Sequence, residues 1–151
     1  MIIAIDFDGT IVQSNFPSIG ALIPNAKESI NKLFQDGHYI IIWTCRQNEQ
    51  LLDMFNFLVA ENILFHRCND NSPEQTAKYG TNSRKVYAHA YIDDLAIGCP
   101  KTSDNLPDWL EIYQQITAAE TNYQNKMAEI QTFNPKNLIN LSCLRPLTIN
   151  H

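Results

Sequence analysis

The chain has 151 residues, of which 44% are hydrophobic and 18% are charged, a length and composition typical of one soluble globular domain. No apolar run is long enough for a membrane span, no basic region with a following apolar stretch marks a secretory leader, and the four cysteines form no CxxC pair, so we expect a cytoplasmic protein with reduced thiols. The net charge of −5, without a cluster of lysine and arginine, argues against non-specific binding to nucleic acid but not against a small phosphorylated ligand.

The first predicted element is a short strand, because residues 2–5 are continuously apolar, as in a strand buried on both faces of a parallel sheet. Two carboxylates follow it, Asp6 and Asp8, which share a face only while the chain stays extended. Gly9 then allows the backbone to turn. This pattern places paired negative charge at the carboxyl edge of a sheet, where open α/β folds bind ligands.

The next elements are a flap, a helix and a second strand. Residues 11–24 carry two prolines and a glycine, and they predict a flap or irregular hairpin over the carboxyl end of the first strand. An amphipathic helix begins at Asn25, which we expect to cap it, and ends before Gly37. Residues 39–43 predict a second buried strand, which is followed by Thr44.

A second amphipathic helix follows and ends near Asn62, and residues 63–65 predict a short third strand. Residues 67–84 are polar and predict a long loop, with one helical turn at 74–79. Residues 86–92 predict a fourth strand, which runs into two adjacent acids.

The last third of the chain predicts helix and an apolar tail. One helix begins near Pro107, and residues 119–130 predict a further helix or its continuation. The tail at 136–151 carries apolar residues that must be buried on this domain or on another subunit, so a homo-oligomer held by the tail is possible. We therefore divide the chain into a domain at 1–117 and a C-terminal helix and tail at 118–151.

Strands that alternate with helices predict an α/β fold, a single-domain Rossmann-like three-layer α/β/α sandwich with a mostly parallel sheet. Right-handed crossovers place the second and third strands on one side of the first. If the fourth strand lies on its other side, the first strand is the switch point of the topology. Its carboxyl end, with Asp6 and Asp8, is then the expected ligand crevice.

Candidate functional residues stand at the ends of these predicted strands. They are Asp6 and Asp8 after the first strand, Thr44 after the second, Lys85 just before the fourth, and Asp93 and Asp94 after it. In this order they resemble the motifs of the haloacid dehalogenase superfamily, which are DxDGT, a Ser or Thr after the second strand, a Lys, and an acidic pair. The resemblance covers roughly residues 2–98 and extends to a small, lid-poor bacterial branch of that superfamily.

The resemblance implies a phosphatase that acts through an aspartyl-phosphate. Asp6 would be the nucleophile, and Asp8 would be the general acid and base. Thr44 would donate a hydrogen bond to a phosphoryl oxygen, and Lys85 would add positive charge to the acids. Lys78 lies in the same polar segment and is the rival for that lysine.

The implied cofactor is Mg²⁺, a hard cation that prefers oxygen ligands. Asp6 and Asp93 would supply carboxylate oxygens, and Asp8 its backbone carbonyl. Asp94 would bind the ion directly or orient a bound water. Taken together, we expect a Mg²⁺-dependent phosphohydrolase that acts on a small phosphorylated substrate, without a membrane partner.

Other functions and roles stay open at this point. The chain could be a non-catalytic module of the same fold that binds phosphate or a partner, or a phosphatase of nucleic-acid ends or phosphoproteins, which the acidic charge does not favour. A receiver-type signalling domain would need its acceptor Asp at the end of a later strand, and residues 42–44 and 65–66 offer none at the second and third strands. Thr44 could simply cap the second helix, and Arg46 could contact substrate or lie on the surface.

The predicted cap over the site is minimal. Only about fourteen residues separate Thr10 from the first helix, and a separately folded lid needs more chain than that. The segment between Thr44 and Lys85 is largely used by a helix and a strand. We therefore expect an open site covered only by the flap.

Overall fold

The computed structural model describes residues 1–132, and the predicted tail at 136–151 lies outside them. The described chain alternates between strands and helices, which confirms the α/β prediction. Its elements are β1 (Ile2–Ile5), α1 (Ala26–Gln35), β2 (Tyr39–Ile42), α2 (Asn48–Ala60), β3 (Arg67–Cys68), α3 (Pro73–Tyr79), β4 (Ala90–Ile92) and α4 (Trp109–Thr132). None of these helices combines the length and the apolar character that crossing a bilayer requires.

The four strands form one sheet in the order β3-β2-β1-β4, and all three neighbouring pairs are parallel. The register pairs Ile3 with Ile40 on one side of β1 and with Ala90 on the other. β2 and β3 lie on one side of β1, as the crossover argument predicted. β4 lies on its other side, which the sequence had left open, so β1 has a neighbour from each half of the chain. Its carboxyl end lies at the switch point of the sheet.

Alternate residues of β1 and β2 face a core on one side of the sheet. Helices α1, α2 and α4 cover this side, and the buried side chains include Ile3, Ile5, Ile40, Ile42, Ile30, Leu33, Met54, Leu58, Trp109 and Ile112. On the other side Ile2, Ala4 and Ile41 pack with Val86. There α3 and the segment before β4 line a cavity of about 550 Å³, with Gln75 on α3 and Tyr91 on β4 in its wall. On this second side the segment before β4 packs on the sheet, and α3 lines the cavity beside it.

The sheet, α1, α2, α3 and the first part of α4 belong to a compact unit that spans Met1–Thr117. From Ala118 to Ile130 the side chains of α4 are mostly exposed. The predicted helix at 119–130 is thus a continuation of α4. The division into a domain and a tail stays a prediction, as does the oligomer that the tail would hold.

The third strand is not at 63–65, as predicted, but at Arg67–Cys68. Ile63 is buried in the core, and its N–H is bonded to the carbonyl of Leu58 at the end of α2, so this apolar run closes the helix instead of pairing with the sheet. Strand pairing begins only at His66, whose N–H donates to Ile40 at 2.9 Å. Apolar composition was a poor guide because β3 is a short edge strand.

Asn25 is at the N-cap position of α1, as predicted, but its side chain does not cap the helix. Asn25 has φ 63°, in the left-handed region, and its side chain makes no capping hydrogen bond. Asparagine tolerates this region better than other non-glycine residues, which explains its presence at this turn.

The fourth strand is shorter than the predicted 86–92. At Tyr87 and Ala88 the backbone bonds to side chains, and a bond to the sheet is made only from His89, whose N–H donates to the Ile2 carbonyl. The N–H of Tyr87 donates to Asn71 and that of Ala88 to the Tyr91 hydroxyl. The predicted helical turn at 74–79 is confirmed as α3, where the Ser72 side chain accepts a bond from the N–H of Gln75.

Residues 11–24 form the predicted irregular hairpin, which we call the flap. Val12 pairs antiparallel with Leu22, and the N–H of Gln13 donates to the carbonyl of Ala21 at 2.8 Å. Gly20 is required there, because a Cβ at that position would lie 2.0 Å from the Gln13 carbonyl oxygen. In the described residues this flap is too short to form a separate lid domain.

Candidate active site

Three carboxylates meet at the carboxyl edge of the sheet. Asp6 follows β1, and Asp93 and Asp94 follow β4, so the parallel pairing of β1 with β4 brings them together. Each offers an oxygen, and these oxygens lie within 4.8 Å of one another. A cluster of oxygen ligands at one sheet edge fits a hard divalent cation such as Mg²⁺.

The charge on Asp6 is disfavoured when no cation is bound. Burial, followed by the neighbouring charge of Asp93, raises the pKa of Asp6 from 3.8 to about 7. Hydrogen bonds from the Phe7 backbone and from the Thr10 hydroxyl lower the pKa and offset only part of this effect. A cation at the cluster would favour the ionised form, so the donor set and its electrostatics both fit a metal ion.

Thr10 fastens the two acidic strand ends to each other, a role that our sequence reasoning missed. Its hydroxyl donates to Asp6 at 3.1 Å and accepts the Asp94 N–H at 2.9 Å. Its carbonyl accepts a bond from Trp109 Nε1 at 2.8 Å. The sequence did contain an indication of this role, because Thr10 is the last residue of the DxDGT motif.

The Asp8 side chain is paired with Arg46. Arg46 Nε and Nη2 donate to the two carboxylate oxygens of Asp8 at 2.8 and 2.7 Å. The Arg46 side chain is only 1% exposed. The surface interpretation of Arg46 is therefore wrong. The Asp8 backbone carbonyl as a metal ligand stays a prediction.

Thr44 lies just beyond β2, and it does not cap α2, whose N-cap is Gln47. The Thr44 hydroxyl accepts the N–H of Arg46 at 3.1 Å. Asn69, just beyond β3, holds the Thr44 backbone with two bonds of 2.8 Å. Its side-chain oxygen accepts a bond from the Thr44 N–H, and its side-chain amide donates to the Thr44 carbonyl. We did not predict this role of Asn69, and no motif around Asn69 in the sequence indicates it.

Lys85 is exposed, and its ammonium lies over the Tyr91 ring, 5.3 Å from the centroid. Within the described residues it forms no ion pair with the acids. Its segment is held at this position, because the Tyr91 hydroxyl donates to the carbonyl of Val86 at 2.7 Å. The rival Lys78 lies over Tyr79 and likewise forms no such pair within residues 1–132. Among residues 1–132, the positively charged side chain that pairs with an acid of this site is Arg46, which binds Asp8.

Comparisons with known proteins found a similar family and a similar solved structure. A family model of haloacid dehalogenase-like hydrolases matches residues 3–69, which include β1, the flap and the Thr44 turn. A solved structure of a conserved protein from Bacteroides thetaiotaomicron is 38% identical, with a TM-score of 0.66, and the match covers 78% of this chain and 90% of that one. A comparison with curated proteins found no match.

Proposed function

Because this chain belongs to the haloacid dehalogenase-like hydrolases, we propose that it is a Mg²⁺-dependent phosphatase that forms an aspartyl-phosphate on Asp6. The observation that carries the proposal is the cluster of Asp6, Asp93 and Asp94 at the carboxyl end of the central strand. A lone nucleophilic carboxylate would repel an anionic phosphate ester. A site that gathers a cation beside the nucleophile removes that obstacle.

The metal would be held by Asp6, Asp93 and Asp94. When bound, it supplies positive charge that offsets the repulsion between the carboxylates and the phosphate. The raised pKa of Asp6 supports this part of the proposal, because the residue is unfavourable as an anion without such a charge. Thr10 keeps the two strand ends in register for binding.

In the first step Asp6 attacks phosphorus, a bond forms between its oxygen and phosphorus, and the ester oxygen leaves. Asp8 donates a proton to that leaving oxygen. In the second step Asp8 takes a proton from water, which attacks the aspartyl-phosphate and releases inorganic phosphate. General acid–base help of this kind contributes about 10²–10⁴-fold.

The phosphoryl oxygens need donors. The Thr44 hydroxyl accepts a bond from Arg46 and still has its own proton to donate. Lys85 would join the site only if the segment before β4 moves its side chain away from Tyr91. We keep Lys85 as the proposed counter-charge on the basis of the family resemblance.

The substrate is proposed to be a small phosphorylated molecule. The flap is the main cover that the described chain provides next to Asp8, and Arg46 bonds directly to it. Selectivity for the substrate would therefore come from the flap and from the segment between α3 and β4. These two segments are separate from the strand ends that carry the proposed catalytic residues.

The proposal is tested by phosphate release from a panel of sugar phosphates, nucleotides and phosphopeptides, with Mg²⁺ and with chelator. We expect turnover of at least one small phosphate ester with Mg²⁺ and none with chelator. Asp6→Asn, which keeps the shape and removes the nucleophile, should abolish turnover. Activity that survives in Asp6→Asn would refute the assignment of the nucleophile.

The roles of Asp6 and Asp8 are separated by mass spectrometry of the quenched reaction with p-nitrophenyl phosphate. This ester has a good leaving group, so Asp8→Asn should slow the second step more than the first. Aspartyl-phosphate should therefore accumulate on Asp6 in Asp8→Asn and not in the wild type. A phosphoryl group on Asp8 would reverse the two roles.

A further inference from the structure

The buried environment of the Arg46 side chain is not explained by the roles proposed for Asp8 and Thr44. It lies two residues beyond Thr44, and its side chain is only 1% exposed. The guanidinium lies between two aromatic rings, with its central carbon 5.3 Å from the centroid of Phe7 and 5.4 Å from that of Phe16. An arginine that is buried so completely must use its donors within the protein.

Those donors point in two directions. On one side Nε and Nη2 bind both carboxylate oxygens of Asp8. On the other side Nη1 donates to the carbonyl of Pro17 at 3.0 Å and Nη2 to that of Ser18 at 2.8 Å. Pro17 and Ser18 belong to the flap, so one side chain joins the flap to Asp8.

The rigid fork of the guanidinium makes this connection specific. Arginine binds a carboxylate with two parallel bonds and keeps other donors for carbonyls, whereas lysine has a single point charge. The backbone of Arg46 is itself fixed, because its N–H donates to the Thr44 hydroxyl. The flap, Asp8 and the Thr44 turn are therefore parts of one connected unit.

We propose that Arg46 is a positioning residue that couples the flap to Asp8, an inference that rests on the proposed function of Asp8. With the flap bound, both Asp8 oxygens accept bonds from Arg46, and the carboxylate is held in one orientation. Each Asp8 oxygen accepts one bond from Arg46 and keeps a second lone pair, through which it can exchange a proton with substrate or water. The position of the flap and the orientation of the acid are thus set together, without contact between Arg46 and the substrate.

The first test compares Arg46→Lys with Asp8→Asn in the reaction with p-nitrophenyl phosphate. If Arg46 acts through Asp8, Arg46→Lys should also accumulate aspartyl-phosphate, and its turnover should fall by about 10²-fold, as expected for a misplaced catalytic group. Arg67→Lys is the matched control, because Arg67 is half exposed and pairs with Asp70 at the surface. It should leave turnover and the absence of adduct unchanged.

The double variant shows whether the two residues act as a unit. In the Asp8→Asn background, Arg46→Lys should lower turnover by no more than about 2-fold, because the group it positions is already gone. A further loss as large as that in the wild-type background would overturn the proposal. So would an Arg46→Lys protein with lower turnover but no accumulated adduct, since a merely structural role predicts that result.

A second measurement does not depend on activity. The amides of Gln13 and Ile23 are bonded within the flap hairpin, to the carbonyls of Ala21 and Ile11. Hydrogen exchange at these amides should be faster in Asp8→Asn, although the side-chain bonds of Asp8 go to Arg46 and not to the flap. Unchanged exchange would overturn the coupling.

These measurements distinguish two failures. If no substrate is turned over but flap exchange responds to Asp8→Asn, the proposed function fails and the coupling stands. If Arg46→Lys does not fold, Phe16→Leu replaces it, because the Phe16 ring packs on the guanidinium and is 64% exposed. Phe16→Leu should speed flap exchange and increase the adduct, and an unchanged protein would count against the proposal.

Discussion

Asp6 is a carboxyl group that burial and two neighbouring acids disfavour as an anion. The unfolded chain loses this proton near pH 3.8, whereas the folded, metal-free protein holds it until about pH 7. Between these values the folded state binds more protons than the unfolded state. The stability of the metal-free protein should therefore fall as the pH rises through this window.

Mg²⁺ binding should oppose this loss. Because the ion competes with the proton on Asp6, Mg²⁺ should raise the melting temperature more at pH 8 than at pH 5.5. Thermal unfolding with and without Mg²⁺ at the two pH values measures the difference. Asp6→Asn is the control and should show a small Mg²⁺ effect at both. Equal Mg²⁺ stabilisation of the wild type at both pH values would contradict the assignment.

The turn after β1 is the element on which the cluster depends. Gly9 has φ +86°, and a Cβ there would lie 2.7 Å from the Asp94 carboxylate. The turn therefore needs glycine for two reasons, its backbone conformation and the close approach of the Asp94 carboxylate, which we propose as a metal ligand.

A pair of glycine variants separates those two reasons. Gly37 also has φ +86°, but a Cβ there would meet nothing within 4 Å. Gly9→Ala and Gly37→Ala should both lower the free energy of unfolding by about 1–2 kcal/mol, because both adopt the left-handed region. Only Gly9→Ala should weaken Mg²⁺ binding in calorimetry, since it displaces Asp94. Loss of Mg²⁺ affinity in both variants would show that the clash is not its cause.

The flap hairpin and the segment before β4 show that the hydrogen bonds of a segment can decide where a charged side chain lies. Arg46 bonds to the flap and to Asp8 together, so the orientation of the acid depends on an element that precedes α1. Lys85 is kept beside Tyr91 by bonds within its own segment. In the sequence, both Arg46 and Lys85 lie near predicted strand ends. The hydrogen bonds of the flap and of the segment before β4 decide that Arg46 pairs with an acid of the site, whereas Lys85 lies over Tyr91.

At the scale of the whole molecule, Trp109 connects α4, α1 and the site. It is 1% exposed, its indole N–H donates to the Thr10 carbonyl, and its own carbonyl accepts from the Ser29 hydroxyl at 3.2 Å. The start of α4, a hundred residues from β1 in sequence, thus supports the turn that carries Thr10.

Trp109→Phe tests this support. It leaves the buried Thr10 carbonyl without its donor, so the free energy of unfolding should fall by about 1–3 kcal/mol in a urea titration, and Mg²⁺ affinity should fall with it. Tyr113→Phe is the control, because that hydroxyl bonds to Asp36 at the exposed surface and its loss should change stability by no more than about 0.5 kcal/mol. A Trp109→Phe protein with unchanged Mg²⁺ affinity would show that α4 supports only the fold.

Much of the architecture was predictable because it follows from local patterns. Short apolar runs predicted β1, β2 and the end of β4, and right-handed crossovers predicted that β2 and β3 lie on the same side of β1, whereas the side of β4 was left open. The same logic failed for β3, since an edge strand needs little apolar character and residues 63–65 close α2 instead. The secondary structure of a segment was harder to predict wherever its backbone groups bond to side chains.

The sequence by itself determined the α/β fold, the family and the acids that meet at the sheet edge, because each acid directly follows a strand and parallel strands end at one edge. Only the tertiary structure decided that Asp8 is paired with a buried Arg46, since the partners are far apart in sequence and arginine is seldom buried. It also decided that Asn69 holds the Thr44 turn and that Lys85 lies over Tyr91. Such contacts depend on which segments the folded chain brings side by side, and no periodicity or local motif records that information.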